Sequence, residues 1–168
     1  MKIVLLNWDN IQLLDEVATE VFDHEIEASK LKAFLDCPCH CMVLAVDDGL
    51  VIGMASAVEY FHPDKSPQLW INEVGITPSK RNQGIGRRLV ETLLDIGQQR
   101  GCVNAWLGTE HGNLAGRRCF ASVRNSTSND RATHPESHGW VRQQCIKITL
   151  ACSSIVHEVV LYEEWIFI

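Results

Sequence analysis

The stretch from Trp70 to Leu89 combines residues suited to anion binding with one carboxylate, Glu73, that is suited to proton transfer. An apolar run is followed by Thr77 and Pro78, then by a glycine-rich segment and an amphipathic run. The first N–H groups of a helix are unpaired and lie at the positive end of the helix dipole. Glycines at such a helix start let a phosphate approach those groups. The stretch therefore predicts an anion site at residues 81–86.

The glycine spacing does not match two common phosphate-binding loops. No Gly-x-x-x-x-Gly-Lys-Ser/Thr sequence is present, so the segment is not a Walker A loop. It also lacks the third glycine of the dinucleotide pattern Gly-x-Gly-x-x-Gly. A different class of phosphate-containing ligand is therefore expected.

Alternating and helical hydrophobic periodicities predict the elements that position this stretch. The expected order is β, α, α, β, β, β, α, β, α, which indicates an α/β fold with a mixed sheet and helices on its faces. Strands are expected at 2–6, 42–46, 50–60, 69–76 and 102–109, helices at 11–21 (after an Asn10 cap), 28–35, 85–100 and 114–123, a hairpin turn at 47–49 and a loop at 61–67.

The pattern changes after Val123. Residues 124–139 lack apolar periodicity and are rich in polar residues, so we expect a loop or disorder there. Residues 145–152 and 155–168 are β-branched and strand-like, and either complete the sheet or leave exposed apolar surface. The length of 168 residues fits a single domain, 1–168, with a regular core at 2–123 and an atypical tail at 124–168.

Composition excludes several classes of protein. A net charge of −6 argues against nucleic acid as a partner, because nucleic-acid binders carry basic patches. No apolar run approaches the ~20 residues that a bilayer span requires, so no membrane partner is expected. The start of the chain is too short in apolar residues for a signal peptide, and seven scattered cysteines fit reduced thiols. We therefore expect a cytoplasmic protein.

The segment from Cys37 to Cys41 contains three cysteines and a histidine, which are metal-ligating residue types. Alternate residues of an extended segment point to opposite sides, and no second Cys/His pair follows at zinc spacing. We therefore expect small residues in a turn that leads into a strand, and no metal. The alternative is a zinc site at Cys37, Cys39 and Cys41.

The run Arg81-Asn82-Gln83-Gly84-Ile85-Gly86 resembles the Arg/Gln-x-x-Gly-x-Gly/Ala signature of the GNAT superfamily of acyl-CoA-dependent N-acetyltransferases. The strand before it, the Asn113 turn and helix after it, and the element order over 2–123 are also similar to that family. Glu73, residues 62–65 and residues 109–110 resemble small bacterial proteins related to aminoglycoside 3-N-acetyltransferases. The resemblance implies a largely antiparallel sheet whose central strands splay apart.

The resemblance also implies acetyl-CoA as cofactor. Its pyrophosphate would bind the N–H groups of Arg81, Asn82, Gln83, Gly84, Ile85 and Gly86, with added charge from Arg87. Its pantetheine arm would run along Val74, Gly75 and Ile76, and the Val74 N–H would stabilise the oxyanion. Glu73 would be the general base or would hold the substrate ammonium. Asn113 would be a helix cap or a cofactor contact.

Phe120 stands in the cofactor site where many members of the family carry a tyrosine that protonates the leaving thiolate. Phenylalanine has no proton to donate, so solvent or another group would have to do so, or turnover would be impaired. Cys119 is a poor substitute and is expected to be a small buried residue.

The function implied is transfer of acetyl to a primary amine of a small molecule such as an aminoglycoside. Asp23, Glu25, Glu59, Glu73 and Glu110 are candidates to bind a cationic acceptor, although each also fits an ordinary surface charge. The alternatives are a peptide or protein amine acetyltransferase, or a catalytically weak acyl-CoA-binding protein. Members of the family are often dimers, so the resemblance also implies a homodimer.

Overall fold

The computed structural model describes residues 1–110, 112–123, 143–149 and 159–162. Within these ranges the chain forms seven strands, three α-helices and two 3₁₀ helices, the latter at Trp8–Asp15 and Pro78–Lys80. The strands are β1 (Lys2–Leu5), β2 (His40–Asp47), β3 (Leu50–His62), β4 (Lys65–Ile76), β5 (Asn104–Glu110), β6 (Gln143–Thr149) and β7 (Val159–Tyr162), and the helices are α1 (Ala28–Asp36), α2 (Ile85–Gln99) and α3 (Leu114–Ala121).

The strands form one sheet in chain order, β1 to β7. Neighbouring strands are antiparallel except β4 and β5, which are parallel because α2 connects them as a crossover. The β4–β5 ladder joins Gln68–Ile71 to Asn104–Leu107 and ends there, although both strands continue. The expected α/β fold with a largely antiparallel mixed sheet and splayed central strands is thus confirmed.

The sheet buries apolar residues on both faces. On one face, here called the α2 face, strand residues such as Ala57, Leu69 and Ile71 pack against Leu89 and Leu93 of α2. On the other, here called the α1 face, Leu44 and Met54 pack against apolar residues of α1 and of the first 3₁₀ helix. Burial of both faces over β1–β5 gives the cleft between β4 and β5 a rigid base.

The predicted α-helix at 11–21 is wrong. A 3₁₀ helix occupies Trp8–Asp15, and its cap is Asn7 rather than Asn10. Asn7 and Asn10 cap each other's backbone, and Asn10 has non-helical φ of −131°. Beyond it, Glu16 C=O and Ala18 N–H hydrogen-bond to Val51 of β3, which removes both groups from any helical ladder. The apolar periodicity is real, because Leu13, Leu14 and Val17 pack on the α1 face.

The predicted loop at 61–67 is mostly strand. His62 pairs with Lys65, so β3 and β4 form a hairpin around Pro63 and Asp64. Proline presets the φ angle that such a turn needs, which suits Pro63 to its place in the turn, whereas Pro67 lies within β4.

The tail adds β6 and β7 beyond β5, within the two predicted strand-like runs or close to them. The predicted loop at 124–139 lies outside the described residues. Within the described ranges, no helix has both the length and the apolar composition that a bilayer span requires.

Candidate active site

A β-bulge in β4 sets the position of Glu73. Ser56 pairs with Glu73 and Ala57 pairs with Ile71, which leaves Asn72 as an extra residue without a partner on β3. Ile71 before the bulge and Val74 after it both pack on the α2 face, a spacing that regular alternation forbids. The bulge therefore turns Glu73 to the α1 face, directly beyond the point where β4 and β5 separate.

The Glu73 carboxyl is partly buried and lies in an acidic environment. Burial, and to a smaller extent the negative charge of Asp23, raise the pKa of Glu73 above its ordinary value. Ser56, its cross-strand partner, is buried at 5% exposure. A carboxylate with a raised pKa is a better proton acceptor than a free one, which suits general-base chemistry.

The backbone of β4 beyond Glu73 presents hydrogen-bonding groups to the cleft. Thr77 N–H bonds to Ile52 C=O of β3, so in the antiparallel register the amides of Val74 and Ile76 point away from β3. The β5 ladder has ended before these residues. Their groups therefore face the opening, where an extended ligand can pair with them.

Gly75 is required by the close approach of another segment. A Cβ at this position would lie 2.2 Å from the Val21 carbonyl oxygen. The chain around residues 21–23 thereby crosses β4 next to Glu73, and this brings the exposed Asp23 into the site. Sequence reasoning placed Gly75 in the cofactor site without this packing role.

The start of α2 forms a ligand-accessible loop. Gly84 is the N-cap, with a left-handed φ of 75° and no side-chain cap, and Asn82 is also left-handed. A Cβ on Gly84 would meet no atom within 4 Å, so there is free space beside the start of α2. Gly86 has a different role, because a Cβ there would lie 3.1 Å from the Cys119 sulfur of α3. Ile85 is buried and anchors the turn to the core.

The two predicted phosphate-binding arginines have protein partners. Arg81 donates from Nε to the Ile76 carbonyl at 3.0 Å and from a terminal nitrogen to Glu20 at 3.1 Å. Arg87 donates to Glu91 at 2.8 Å, one helical turn along α2. Gln83 donates to the Ser79 carbonyl at 3.3 Å. These contacts hold the loop, while the helix N–H groups remain its most direct anion-binding feature.

Asn113 is a helix cap in this structure. Its side-chain oxygen accepts from Gly116 N–H at 2.8 Å, and its amide donates to Thr109 Oγ1 at 3.2 Å. Both interactions fasten the start of α3 to the end of β5. The structure thus shows Asn113 as a helix cap, which is one of the two roles expected for it.

Phe120 lies in the core of the α2 face with 7% exposure, which differs from the expectation that it lines the cofactor site. Cys119 is half-buried beside Gly86, and burial raises the pKa of its thiol. Neither residue is placed to be an efficient proton donor, in line with the expectation for Cys119.

An aromatic pocket of about 350 Å³ lies on the α1 face, the same face of β4 that carries Glu73. It is formed where β3, β4 and β5 align, because Val58 pairs with Trp70 and Trp70 pairs with Trp106. The Trp106 indole N–H donates to Gln68 Oε1 at 2.7 Å. The pocket is lined by Val58, Tyr60, Gln68, Trp70 and Trp106. Sequence reasoning missed it, since pairing of residues 36 positions apart has no local signal.

The five predicted acceptor-binding carboxylates do not converge as a group. Asp23 and Glu73 come together, and Glu25 is exposed in the segment before α1. Glu59 follows Val58 in strict alternation and lies on the α2 face, 3.8 Å from Arg100. The structure therefore separates Glu59 from Glu73, because the two side chains leave the sheet on opposite sides. The Glu110 side chain lies outside what the structure describes.

The residues present fit an acyl-CoA. The cleft offers the edge of β4 at Val74 and Ile76, which has no β5 partner although the Ile76 carbonyl accepts from Arg81, and the uncapped start of α2 lies at the end of that edge. An extended amide-containing arm and a pyrophosphate have the groups that these two features bind.

Sequence and structure comparisons agree on the family. Residues 5–124 match the acetyltransferase (GNAT) family. A search of curated protein sequences finds no significant match.

Solved structures with this fold include several acetyltransferases. An aminoglycoside acetyltransferase from an uncultured soil metagenomic sample, in complex with trehalose, is 15% identical with a TM-score of 0.65, over 83% of this chain and 96% of that one. The aminoglycoside acetyltransferase AAC(6')-Iy, in complex with a CoA bisubstrate analogue, is 17% identical with a TM-score of 0.62, over 82% and 98%. The NatC complex bound to Gag peptide and CoA is 19% identical with a TM-score of 0.56, over 71% and 82%.

At these identities the structural likeness establishes the fold, whereas the family match covers most of the chain and includes the glycine loop and Glu73. The expected N-acetyltransferase activity and the acetyl-CoA cofactor follow from that membership. The chain belongs to the GNAT family of acetyltransferases.

Proposed function

We propose that this protein transfers an acetyl group from acetyl-CoA to a primary amine of a small, cationic molecule of the aminoglycoside kind. The observation that carries the proposal is the position of Glu73, on the bulge of β4 where the β4–β5 ladder ends and on the face that carries an aromatic pocket.

Chemistry and size of the pocket support a small amine as acceptor. Trp70, Trp106 and Tyr60 offer flat surfaces on which sugar rings and cations pack well. Asp23 and Glu73 supply negative charge at one end of this surface. A volume of about 350 Å³ is at the lower end of the range for small-molecule sites. Two of the structural neighbours are aminoglycoside acetyltransferases, which agrees with this acceptor class.

In the proposed mechanism Glu73 accepts the proton that the acceptor amine must lose. An ammonium has no lone pair, so the base must act before or during attack, directly or through one water. The Val74 N–H donates a hydrogen bond to the oxygen on which negative charge develops. When bound, acetyl-CoA supplies the activated acetyl group and a sulfur leaving group. The thiolate takes its proton from solvent, since Phe120 is buried and has none to donate.

The proposal is tested by measuring CoA release from acetyl-CoA across a panel of aminoglycosides, polyamines and short peptides. We expect saturable transfer to at least one aminoglycoside, with weaker transfer to peptides. Saturable binding of acetyl-CoA without transfer to any amine would contradict it and would favour a weak acyl-CoA-binding protein.

Glu73→Gln removes the proton acceptor and keeps the shape of the side chain. We expect kcat to fall by roughly 10²–10⁴-fold near neutral pH. The matched control is Glu27→Gln, which changes an exposed carboxylate that is paired with Lys30. An unchanged rate for Glu73→Gln across all pH values would remove Glu73 from the role of base.

A peptide or protein amine is the second candidate acceptor. It is favoured by one observation, the exposure of Tyr60 and Phe61 at 55% and 62% on the β3–β4 hairpin beside the pocket. An open aromatic rim of this kind suits an extended peptide. Preference for peptides over aminoglycosides in the same panel would establish this alternative.

A further inference from the structure

Two thiols and an imidazole cluster where α1 passes into β2, outside the acetyl-transfer cleft. The sulfur atoms of Cys37 and Cys39 lie 2.7 Å apart. One ligating atom from each of Cys37, Cys39 and His40 lies within 4.8 Å of the other two. Cys41 is not part of this group, because its side chain is buried in the core of the α2 face.

A turn brings the three side chains together. His40 N–H bonds to Cys37 C=O at 3.1 Å, with Pro38 at the second position, where its fixed φ favours a turn. The extended conformation begins only at His40, so the side chains of Cys37 and Cys39 do not point to opposite sides as they would in a strand. The predicted turn leading into a strand is confirmed, whereas the predicted separation of these side chains is wrong.

Packing fixes the position of the His40 ring and leaves one of its nitrogens available to a ligand. Its ring lies against Phe34 of α1, with ring centroids 5.0 Å apart. Its Nδ1 is buried and has no hydrogen-bond partner among the described residues. A buried polar atom without a partner is uncommon in native proteins and indicates a missing ligand, ion or water.

The backbone of the turn is anchored independently of the thiols. Glu59 N–H donates to Cys39 C=O at 2.8 Å, and Arg100 donates to Pro38 C=O at 3.1 Å. The turn is therefore fixed from both β3 and the end of α2. These bonds use only backbone carbonyls, and the two sulfurs hydrogen-bond to each other, a contact that a metal ion would replace.

We propose that Cys37, Cys39 and His40 form a binding site for a thiophilic metal ion, with Zn²⁺ as the natural occupant. Zn–S bonds of about 2.3 Å in a tetrahedral site place two sulfurs about 3.8 Å apart, which small side-chain rotations from the present 2.7 Å achieve. Binding releases the thiol protons, because the ligands are thiolates and a neutral imidazole. Three protein ligands leave a fourth position for water or another donor.

The site borders the aromatic pocket. His40 pairs with Val58 and Val58 pairs with Trp70, so these three residues form one row across the α1 face. Two strand spacings separate His40 from Trp70, or about 10 Å. A bound ion would brace α1 and β2 at the edge of the pocket without reaching Glu73.

Titration of the reduced full-length protein with Co²⁺, followed by displacement with Zn²⁺, tests the proposal. We expect one Co²⁺ per chain, a sulfur-to-cobalt charge-transfer absorption, the visible bands of a tetrahedral site, and loss of both on addition of Zn²⁺. Zn²⁺ should also raise Tm of the wild-type protein, since it binds the folded state.

The double variant Cys37→Ser, Cys39→Ser should lose the charge-transfer band and the Zn²⁺-dependent rise in Tm. His40→Gln should weaken binding at least tenfold, and Cys41→Ala should retain the band because Cys41 faces the core. Circular dichroism verifies that each variant is folded. No stoichiometric binding to the reduced wild type, or an undiminished band in the double variant, would overturn the proposal.

Discussion

Glu73 is a carboxylate whose ionised form is disfavoured by the fold. Its burial and the nearby Asp23 raise its pKa, whereas the unfolded chain exposes it to water at its ordinary value. Between these two pKa values the folded state binds more protons than the unfolded state. Stability is therefore lost as pH rises through this window, and the loss persists at neutral pH.

Glu73→Gln should consequently raise the free energy of unfolding at about pH 7 and leave it nearly unchanged at about pH 4, below the ordinary glutamate pKa. The gain would accompany the loss of transfer activity, because the same environment that favours proton acceptance destabilises the fold. Urea unfolding of both proteins at the two pH values measures the difference. A destabilised variant at neutral pH would show that the carboxylate makes favourable contacts instead.

For single residues, the sequence was informative where the chemical type of the side chain is enough to suggest its role. Glu73 and Gly84 were predicted as site residues from the residues that surround them and from the family pattern, and these roles remain predictions. Glu59 was not separable from Glu73 in the sequence, because the face of Glu73 depends on the bulge at Asn72, which only the pairing of β4 with β3 reveals. The closeness of the Cys37 and Cys39 sulfurs was not predicted, since a turn was expected but its effect on side-chain directions was not.

Among the elements, α2 connects the core to the glycine loop. Its apolar residues face the sheet and its first turn is open at Gly84. The amphipathic period predicted its limits well, because helix length and burial follow from local spacing. The first 3₁₀ helix has a similar apolar period, yet reciprocal capping by Asn7 and Asn10 and pairing with β3 replaced the α-helical form.

Gly84→Asp and Gly84→Asn separate charge from shape at the start of α2. Both residue types tolerate the left-handed φ of 75°, and a Cβ there meets no neighbour. Asp should raise the KM for acetyl-CoA by roughly tenfold over Asn, because a carboxylate close to the pyrophosphate repels it. Helix stability should favour Asp by about 0.3–1 kcal/mol through the helix dipole.

Steady-state kinetics at low and high salt measure the comparison, since screening should reduce the difference. Equal KM values for the two variants would place the pyrophosphate away from this loop.

At the scale of the whole molecule, the cleft depends on β6, which pairs with β5 along the edge that faces away from β4. Beyond Leu107, β5 has no β4 partner and pairs only with β6. The strand-like character of residues 145–168 was visible in the sequence, whereas the register that joins β6 to β5 was not. That register depends on contacts far apart in the chain and on which face each side chain must occupy.

Hydrogen exchange measured by mass spectrometry should therefore find slow exchange in both 104–110 and 143–149. The exposed segment 23–27 should exchange rapidly and provides an internal reference. Protection of both strands is expected because each uses the other's backbone groups. Rapid exchange in 143–149, together with partial exchange in β5, would contradict the β5–β6 ladder.

The unpaired Asn72 also sets the face that every later residue of β4 occupies. If β4 alternated regularly with Asn72 retained, Glu73 would turn towards the α2 core and Val74 and Ile76 would leave it. Deletion of Asn72 removes only the extra residue, so Glu73 would stay on the α1 face and Val74 and Ile76 on the α2 face. Such a deletion should therefore retain acetyl transfer, and loss of transfer in a folded deletion variant would show that the bend of the bulge also positions the carboxylate. When such chains are aligned, a gap at Asn72 is compatible with an intact site, and it should be weighted differently from a gap elsewhere in β4.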